Sequence, residues 1–567
     1  MSAELAGSRV IGRIGPKSLV ALLVGALALV GAGWSAPASA EGAGPPPTSK
    51  IIIMAAPGAL REAAIRVEAL GGHITRALPL VGGFAAAVPT SALALLRGSP
   101  AVRSVTADTP VRLNKGGGSP PEPNSVYTKA LDVERVWQAG YSGQGVTVAV
   151  VDTGISSVPD VAGRLLSVRN DITGQTTPCM DLSGENSCTD TYGHGTFVGG
   201  IIAGNGAASN GLYSGVAPQA NLLPVKVAGA NGASDVSNVL AAIQWVVSFK
   251  SRYNIRVLNL SLSTDSTATY RSDPFNYAVE RAWDAGIVVV VSASNRGPAA
   301  GTISKPGDDP LVITVGAVDD RGTPGVGDDE LPDFTSRGPT PSDGLAKPDV
   351  VAPGAHLVSL RSIGSYVDRN STAMDGTYHR GSGTSFSAAA VSGVVALMLS
   401  RNPGMTPNQV KYALTHSART LPGISDPMAV GAGEVDAYTA TLNPPAGSAN
   451  GGVVRSTGTG LLADSRGHVW VDTLGGVAVT GELTAQLILW DPLGYTVGWN
   501  PTSWYLSTWA LTPFLAVTWS AEDWPGRNWG GRNWGGGDWE GSTWGGTTQR
   551  RQYGQPVDGS VWYGAWG

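Results

Sequence analysis

Cysteine is nearly absent from this chain. Its 567 residues hold two, Cys179 and Cys188. That is too few for a small fold stapled by disulfides, and no histidine lies in the loop between them to complete a zinc site. Outside the cell a pair so close in sequence is expected to form a disulfide across one loop; two free thiols is the alternative reading. Charge is scarce as well. Charged residues make up 14% of the chain and the formal net charge is −5, which argues against nucleic acid or another polyanion as partner. An early apolar run, Leu19 to Val30, is short for a membrane span. Basic Arg9, Arg13 and Lys17 precede it, and Ala38-Ser39-Ala40 follows as a small-residue cleavage pattern. Residues 1–40 therefore read as a secretory signal, with an uncleaved anchor as the alternative. The product is expected outside the cell, secreted or retained at its surface.

Glycine is abundant, with 78 residues, and the length allows two to four domains with a large core. After a spacer, Gly44-Pro45-Pro46-Pro47, residues 50–113 read as a compact α/β unit. Ile51 to Met54 is a strand. Leu60, Ala64 and Val67 have helical spacing. Gly82-Gly83 separates two apolar arms, Ile74 to Val88, as a hairpin would. Ser91 to Leu96 is a second helix and Val102 to Val111 a last strand, giving β-α-β-β-α-β. Residues 114–123 form a Gly/Pro-rich linker. From 124 to 441, near-continuous apolar strands alternate with helices: Val146–Val151, Leu222–Val227, Val257–Leu262, Ile287–Val291 and Leu311–Val318. Strands apolar on both faces imply a mostly parallel sheet with helices on both faces. Such sheets gather reactive groups at the carboxyl ends of their strands. Asp152 and Asn295 each follow one. Pro407 to Ala418 reads as a helix capped by Thr406.

The chemistry centres on Gly381-Ser382-Gly383-Thr384-Ser385, followed by a small-residue helical run. Ser385 sits at a helix N-terminus, where the dipole and free N–H groups favour developing negative charge. A serine nucleophile needs a base. Val148-Ala149-Val150-Val151-Asp152-Thr153-Gly154 and Gly193-His194-Gly195-Thr196 supply a carboxylate and an imidazole. Each motif alone is an ordinary cap or turn. The three in the order Asp152, His194, Ser385 resemble the subtilisin-like serine peptidases. The resemblance implies a subtilisin-like α/β fold and peptide-bond hydrolysis, with Ser385 as nucleophile, His194 as proton shuttle and Asp152 orienting it. Asn295 would donate to the oxyanion; its bland reading is a turn residue.

Other positions follow from the same resemblance. Ser261, Leu262 and Ser263 match the strand that pairs with extended substrate, and Gly232, in Ala230-Asn231-Gly232-Ala233, the opposite edge. Ser263 and Ser294 stand where the family often has glycine, which bears on pocket size. The unit at 50–113 resembles the family's inhibitor-type pro-domain, a small ferredoxin-like α/β fold, so a self-processed zymogen is expected with that unit as an intramolecular partner. No cofactor is implied; structural calcium would fit the family, but no ligand set is marked. The expected product is a monomeric endopeptidase acting on protein or peptide substrates.

Residues 442–567 stand outside this pattern, starting with a linker at 444–452. Trp499, Trp504, Trp509, Trp519, Trp524, Trp529, Trp534, Trp539 and Trp544 recur every five residues, with Phe514 in the one gap. Neither a helix nor a strand places that period on one face. Low-complexity chain is the bland reading. An exposed array of indoles contacting cell wall or polysaccharide is the functional one. It underlies the rival view of a surface- or polymer-binding protein on a peptidase-like scaffold. An adhesive tail of that kind would be dispensable for hydrolysis.

Overall fold

The structure, a computed structural model, describes residues 48–108, 125–371, 373–468, 470–499, 504–519 and 532–534. The signal segment, the linker at 114–123 and Trp524, Trp529, Trp539 and Trp544 lie outside the described residues. The chain divides into two compact units, 1–117 and 118–567.

The N-terminal unit has the expected element order: β1 (Thr48–Ala55), α1 (Leu60–Ala69), β2 (His73–Leu78), β3 (Gly83–Pro89), α2 (Leu93–Arg97) and β4 (Val102–Ala107). Its sheet runs β2-β3-β1-β4, antiparallel throughout. Ile51 and Ile53 alternate into the core beside Phe84, Val88 and Leu96, as period two requires. The helix differs from its sequence reading. Ala63 and Val67 are buried while Leu60 is exposed, so the stripe facing the sheet is shifted by a residue. The hairpin turns through Gly82, at φ 56°. A Cβ on Gly83 would stand 2.0 Å from the Ile53 carbonyl oxygen, so only glycine lets those strands pair there.

The larger unit is built on seven parallel strands: β5 (Thr147–Asp152), β6 (Met180–Asp181), β7 (Asn221–Lys226), β8 (Ile255–Leu260), β9 (Val288–Ser292), β10 (Ile313–Val318) and β11 (Val350–Pro353), in the order β11-β10-β9-β8-β5-β7-β6. Every residue of β5, β9, β10 and β11 is buried, the signature of a sheet covered on both faces. Two of these strands carry little sequence signal. β6 is two residues long, and β11 sits in a Pro-bounded segment. The cover includes α3 (His194–Ala203), α4 (Val236–Phe249) and α5 (Thr384–Arg401). Helix α5 lies across β8 to β11 and against α3. Gly200 and Gly393 permit this density: a Cβ on either would come within 2.5 Å of a neighbouring side chain. Helix α6 (Pro407–Ser417) opens with the expected Thr406 cap, completed into a capping box by Gln409.

The C-terminal region departs most from expectation. The described residues of 443–468, 470–499 and 504–519 are folded onto the larger unit, not tethered beside it. Ala449 N–H bonds the Asn408 carbonyl at 3.0 Å, and the Asn450 amide donates to the Leu311 carbonyl at 3.0 Å, so the segment read as a linker is pinned. A small antiparallel sheet follows, with β12 (Val471–Thr473) between β13 (Ala478–Val479) and β14 (Val517–Trp519). The exposed indole array is corrected for its first members. Trp504 and Trp509 are buried in the main core with Trp490 and Tyr495, and Trp499 and Phe514 pack against it. Trp509 Nε1 donates to Gln244 Oε1 at 2.8 Å. Period five fits this role because short turns, not one helix or strand, carry successive rings inward.

Candidate active site

Strand β5 ends on Asp152, and α3 begins on His194. Both side chains are fully buried. His194 Nδ1 lies 2.9 and 3.0 Å from the two Asp152 oxygens, so the carboxylate fixes the ring and directs Nε2 away from itself. Thr153 N–H also bonds Asp152 Oδ1, at 2.8 Å. A second carboxylate, missed in the sequence reading, builds the start of α3. Asp190 accepts from the N–H groups of Gly193 (2.7 Å) and Thr196 (2.7 Å) and from the Thr153 hydroxyl (2.8 Å). Burial pushes the Asp190 carboxyl up, and these bonds offset part of that. Gly193, at φ 113°, takes the left-handed turn between Asp190 and His194.

Ser385 lies in the first turn of α5. Its Oγ donates to the Ser261 carbonyl at 3.1 Å, and Ser261 Oγ donates to the Ser385 carbonyl at 2.9 Å. The residue after β8 is thereby locked to the backbone of Ser385. Asn259 and Ser392 extend the lock: Asn259 Nδ2 donates to Ser261 Oγ, and Asn259 Oδ1 accepts from Ser392 Oγ. Phe386, next to Ser385, has its ring 5.7 Å from that of His194. The two helices and β5 thus bring Asp152, His194 and Ser385 to one region.

Asn295 follows β9 as expected. Its Oδ1 accepts from both the N–H and the hydroxyl of Thr384, each at 2.9 Å. Two donors on one atom fix the amide's orientation, and Nδ2 is left buried without a hydrogen-bond partner among the described residues. A buried unpaired N–H2 costs about 1–3 kcal/mol, and such groups mark a site awaiting an acceptor. Ser294, just before it, is buried with φ 90°, a conformation that favours glycine. Ser263 is also buried, so both hydroxymethyl groups face the interior.

On the opposite edge Gly232 has φ 69°, and a Cβ there would stand 2.7 Å from the Tyr192 ring. The 230–233 edge is held by the disulfide loop. Cys179 and Cys188 are bonded, with Cα atoms 5.5 Å apart. Within the loop, Glu185 Oε1 accepts from Ala230 N–H at 2.6 Å, and Oε2 accepts from fully buried Lys226 at 2.8 Å. Burial raises the Glu185 carboxyl, and its bonds with Lys226, Thr191 and Ala230 together more than reverse that, leaving it below its ordinary value. Lys226 pairs in register with Asp152. One network therefore runs from the strand that carries Asp152 to the 230–233 edge. Little in the local sequence marks Glu185: it accepts from Thr191, six positions on, but the two partners that tie it to the strand and the edge lie 41 and 45 positions away. Among the described residues no group of three or more His, Cys, Asp or Glu side chains could hold a metal ion.

The subtilase (Peptidase_S8) family profile matches residues 143–460. The chain belongs to the subtilase family. It is therefore a serine-type endopeptidase with the subtilisin-like α/β fold, and the family match continues past the closure expected near 441. Serine protease AprX of Bacillus subtilis (strain 168) is 39% identical over 319 residues, 55% of this chain and 70% of that protein. M-protease of Shouchella clausii (strain KSM-K16) is 33% identical over 303 residues, 53% of this chain and 66% of its own length. Among solved structures, fervidolysin from Fervidobacterium pennivorans, a keratinolytic enzyme related to subtilisin, aligns with a TM-score of 0.44 and 24% identity. That alignment covers 70% of this chain and 61% of fervidolysin.

Proposed function

We propose that this subtilase is a secreted endopeptidase acting through Ser385, His194 and Asp152, made as a precursor that removes its own N-terminal unit. Ser385 Oγ attacks the scissile carbonyl while His194 Nε2 takes the proton, then gives it to the leaving amine. Asp152 holds the tautomer and stabilises the imidazolium. The tetrahedral oxygen is bound by Asn295 Nδ2, and water then releases the acyl group by the same steps. Extended substrate lies between the 261–263 and 230–232 edges. The observation that carries this reading is the two-oxygen grip of Asp152 on His194 Nδ1, together with the Asn295 amide whose N–H2 is buried and unpaired. Secretion is supported by the Cys179–Cys188 disulfide, a bond of oxidising compartments. Self-processing is supported by the separate βαββαβ unit ahead of the catalytic one.

The test is expression of wild type and Ser385→Ala in a host lacking other extracellular peptidases. Wild type should clear casein and have its N-terminal unit removed. The variant should do neither and should accumulate at precursor size. Processing of the variant would exclude self-cleavage, and casein hydrolysis by it would exclude Ser385 as nucleophile.

A further inference from the structure

The strand that leads into Ser385 is covered by a piece of the C-terminal tail. Leu357–Leu360 and Tyr378–Ser382 pair antiparallel, and the second of these ends just before Gly383, Thr384 and Ser385. All its residues are buried. Its other edge takes a third strand, Arg532–Trp534, also antiparallel, with Gly381 opposite Trp534 and Ser382 opposite Arg532. Asn533 lies between those two pairs as a bulge. An edge strand offers its N–H and C=O groups to any extended chain, and here the tail takes them. The edge itself is firmly held. Ser382 Oγ accepts from His356 N–H at 2.9 Å, and the Tyr378 hydroxyl donates to Asp160 at 2.7 Å. The pair also lies on α3, the helix that His194 opens: Ser359 Oγ donates to the Phe197 carbonyl at 2.7 Å. A Cβ on Gly381 would stand 2.9 Å from the Phe386 ring and 3.2 Å from the Phe197 ring. The covered edge therefore sits on the rings that flank Ser385 and His194.

We propose that residues 532–534 are an intramolecular strand ligand that occupies the edge needed by the leaving half of an extended substrate, so that the tail brakes the folded enzyme. The proposal rests on the peptidase reading of Ser385 and adds a regulation to that site. Position follows from the chemistry. His194 passes its proton to the leaving amine, so the leaving half departs on the side of α3, away from the 261–263 edge on β8. The Gly381–Ser382 edge is on that side, and Ser382 is roughly 10 Å of extended chain from Ser385. Tail and substrate would then compete for one row of backbone groups, as in other strand additions. The pairing is short and flanked by Gly531 and Gly535, which lose much backbone freedom on ordering. It is a reversible brake, not a lock. Sequence repetition fits that role. Arg527-Asn528-Trp529 and Arg532-Asn533-Trp534 are two copies of one tripeptide, each followed by Gly-Gly, so a second copy can replace the first at the same edge.

The experiment compares three chains: wild type with its whole tail, a chain ending at Ser520, and a whole chain carrying Arg527→Pro and Arg532→Pro. Ending at Ser520 keeps β14 and the buried Trp504 and Trp509. The proline chain keeps every other residue but removes a strand N–H from each copy. Each is assayed on internally quenched peptides with four residues after the scissile bond, and on the same acyl half carrying only a p-nitroanilide. A tether holds the strand at roughly millimolar effective concentration. In both altered chains KM for the long peptides should therefore fall about threefold or more with kcat little changed, the pattern of a removed competitor. The anilide, which has no leaving half to pair, should not move. A synthetic peptide of residues 526–536 should inhibit the shortened chain competitively against the long peptides alone. Unchanged KM in the altered chains overturns the proposal and leaves the peptidase standing. A fall in the shortened chain only overturns the strand pairing as its cause, and an equal fall on both substrates overturns the assignment of this edge. Hydrolysis of neither substrate by any chain overturns the peptidase reading as well.

Discussion

At the scale of single residues, the side chains proposed to carry the catalysis stand out in the sequence because each closes a local pattern. Asp152 and Asn295 end runs of buried valine, and His194 and Ser385 open helices whose small residues must pack closely. What surrounds them was not legible. Asp190, Glu185 and Thr384 act through bonds to backbone groups brought near only by folding. Thr384 supports the role proposed for Asn295: it occupies Oδ1 and so turns Nδ2 to where an oxyanion would need a donor. Asn295→Ala is expected to lower kcat by about 10²–10³ with KM little changed, a magnitude taken from subtilisin, a member of this family. Steady-state kinetics on a soluble peptide will check it, and a change confined to KM would argue for a positioning role. Ser294 carries a different message. Its φ of 90° costs a non-glycine residue about 1 kcal/mol or more. Ser294→Gly should therefore raise the unfolding free energy by roughly that amount, less the backbone entropy glycine adds to the unfolded chain. Denaturant titration will measure it; an equal loss would mean that the Ser294 hydroxyl contributes more than the strain costs.

Among elements, those with strong periodicity were found and those defined by their neighbours were not. The long parallel strands stood out as apolar runs. The two-residue β6 did not, because its place at the sheet edge depends on the loop that the disulfide closes. Through Glu185 that loop holds Ala230 N–H, so slack in the loop is transmitted to the 230–233 edge. The paired Cys179→Ser and Cys188→Ser variant should lose about 2–3 kcal/mol of stability by loop closure. It should also raise KM several-fold with kcat nearly retained. Thermal unfolding and kinetics on one preparation will separate the effects. Unchanged KM would show that Glu185 holds the edge without help from the bond.

The molecule as a whole is organised differently from a catalytic domain with a loose tail. Trp490, Tyr495, Trp504 and Trp509 lie in the same core as the sheet. The sequence hid this because a repeat of period five matches no regular element, so its inward side chains were read as outward ones. Burying each such ring is worth about 1.5–3 kcal/mol, and together they approach the whole stability of an ordinary domain. Truncation before Gly452 should therefore yield little folded enzyme, or enzyme with a Tm lower by ten degrees or more, on the order expected for several kcal/mol. A truncated protein with wild-type Tm and activity would restore the dispensable tail. Everything else in the account depends on Ser385 being an activated nucleophile. The most direct measurement is labelling of the native protein with a fluorophosphonate, followed by peptide mapping. The account predicts one modified residue, Ser385, and no label in His194→Ala or after denaturation. Label at another serine, or undiminished label in His194→Ala, would contradict it.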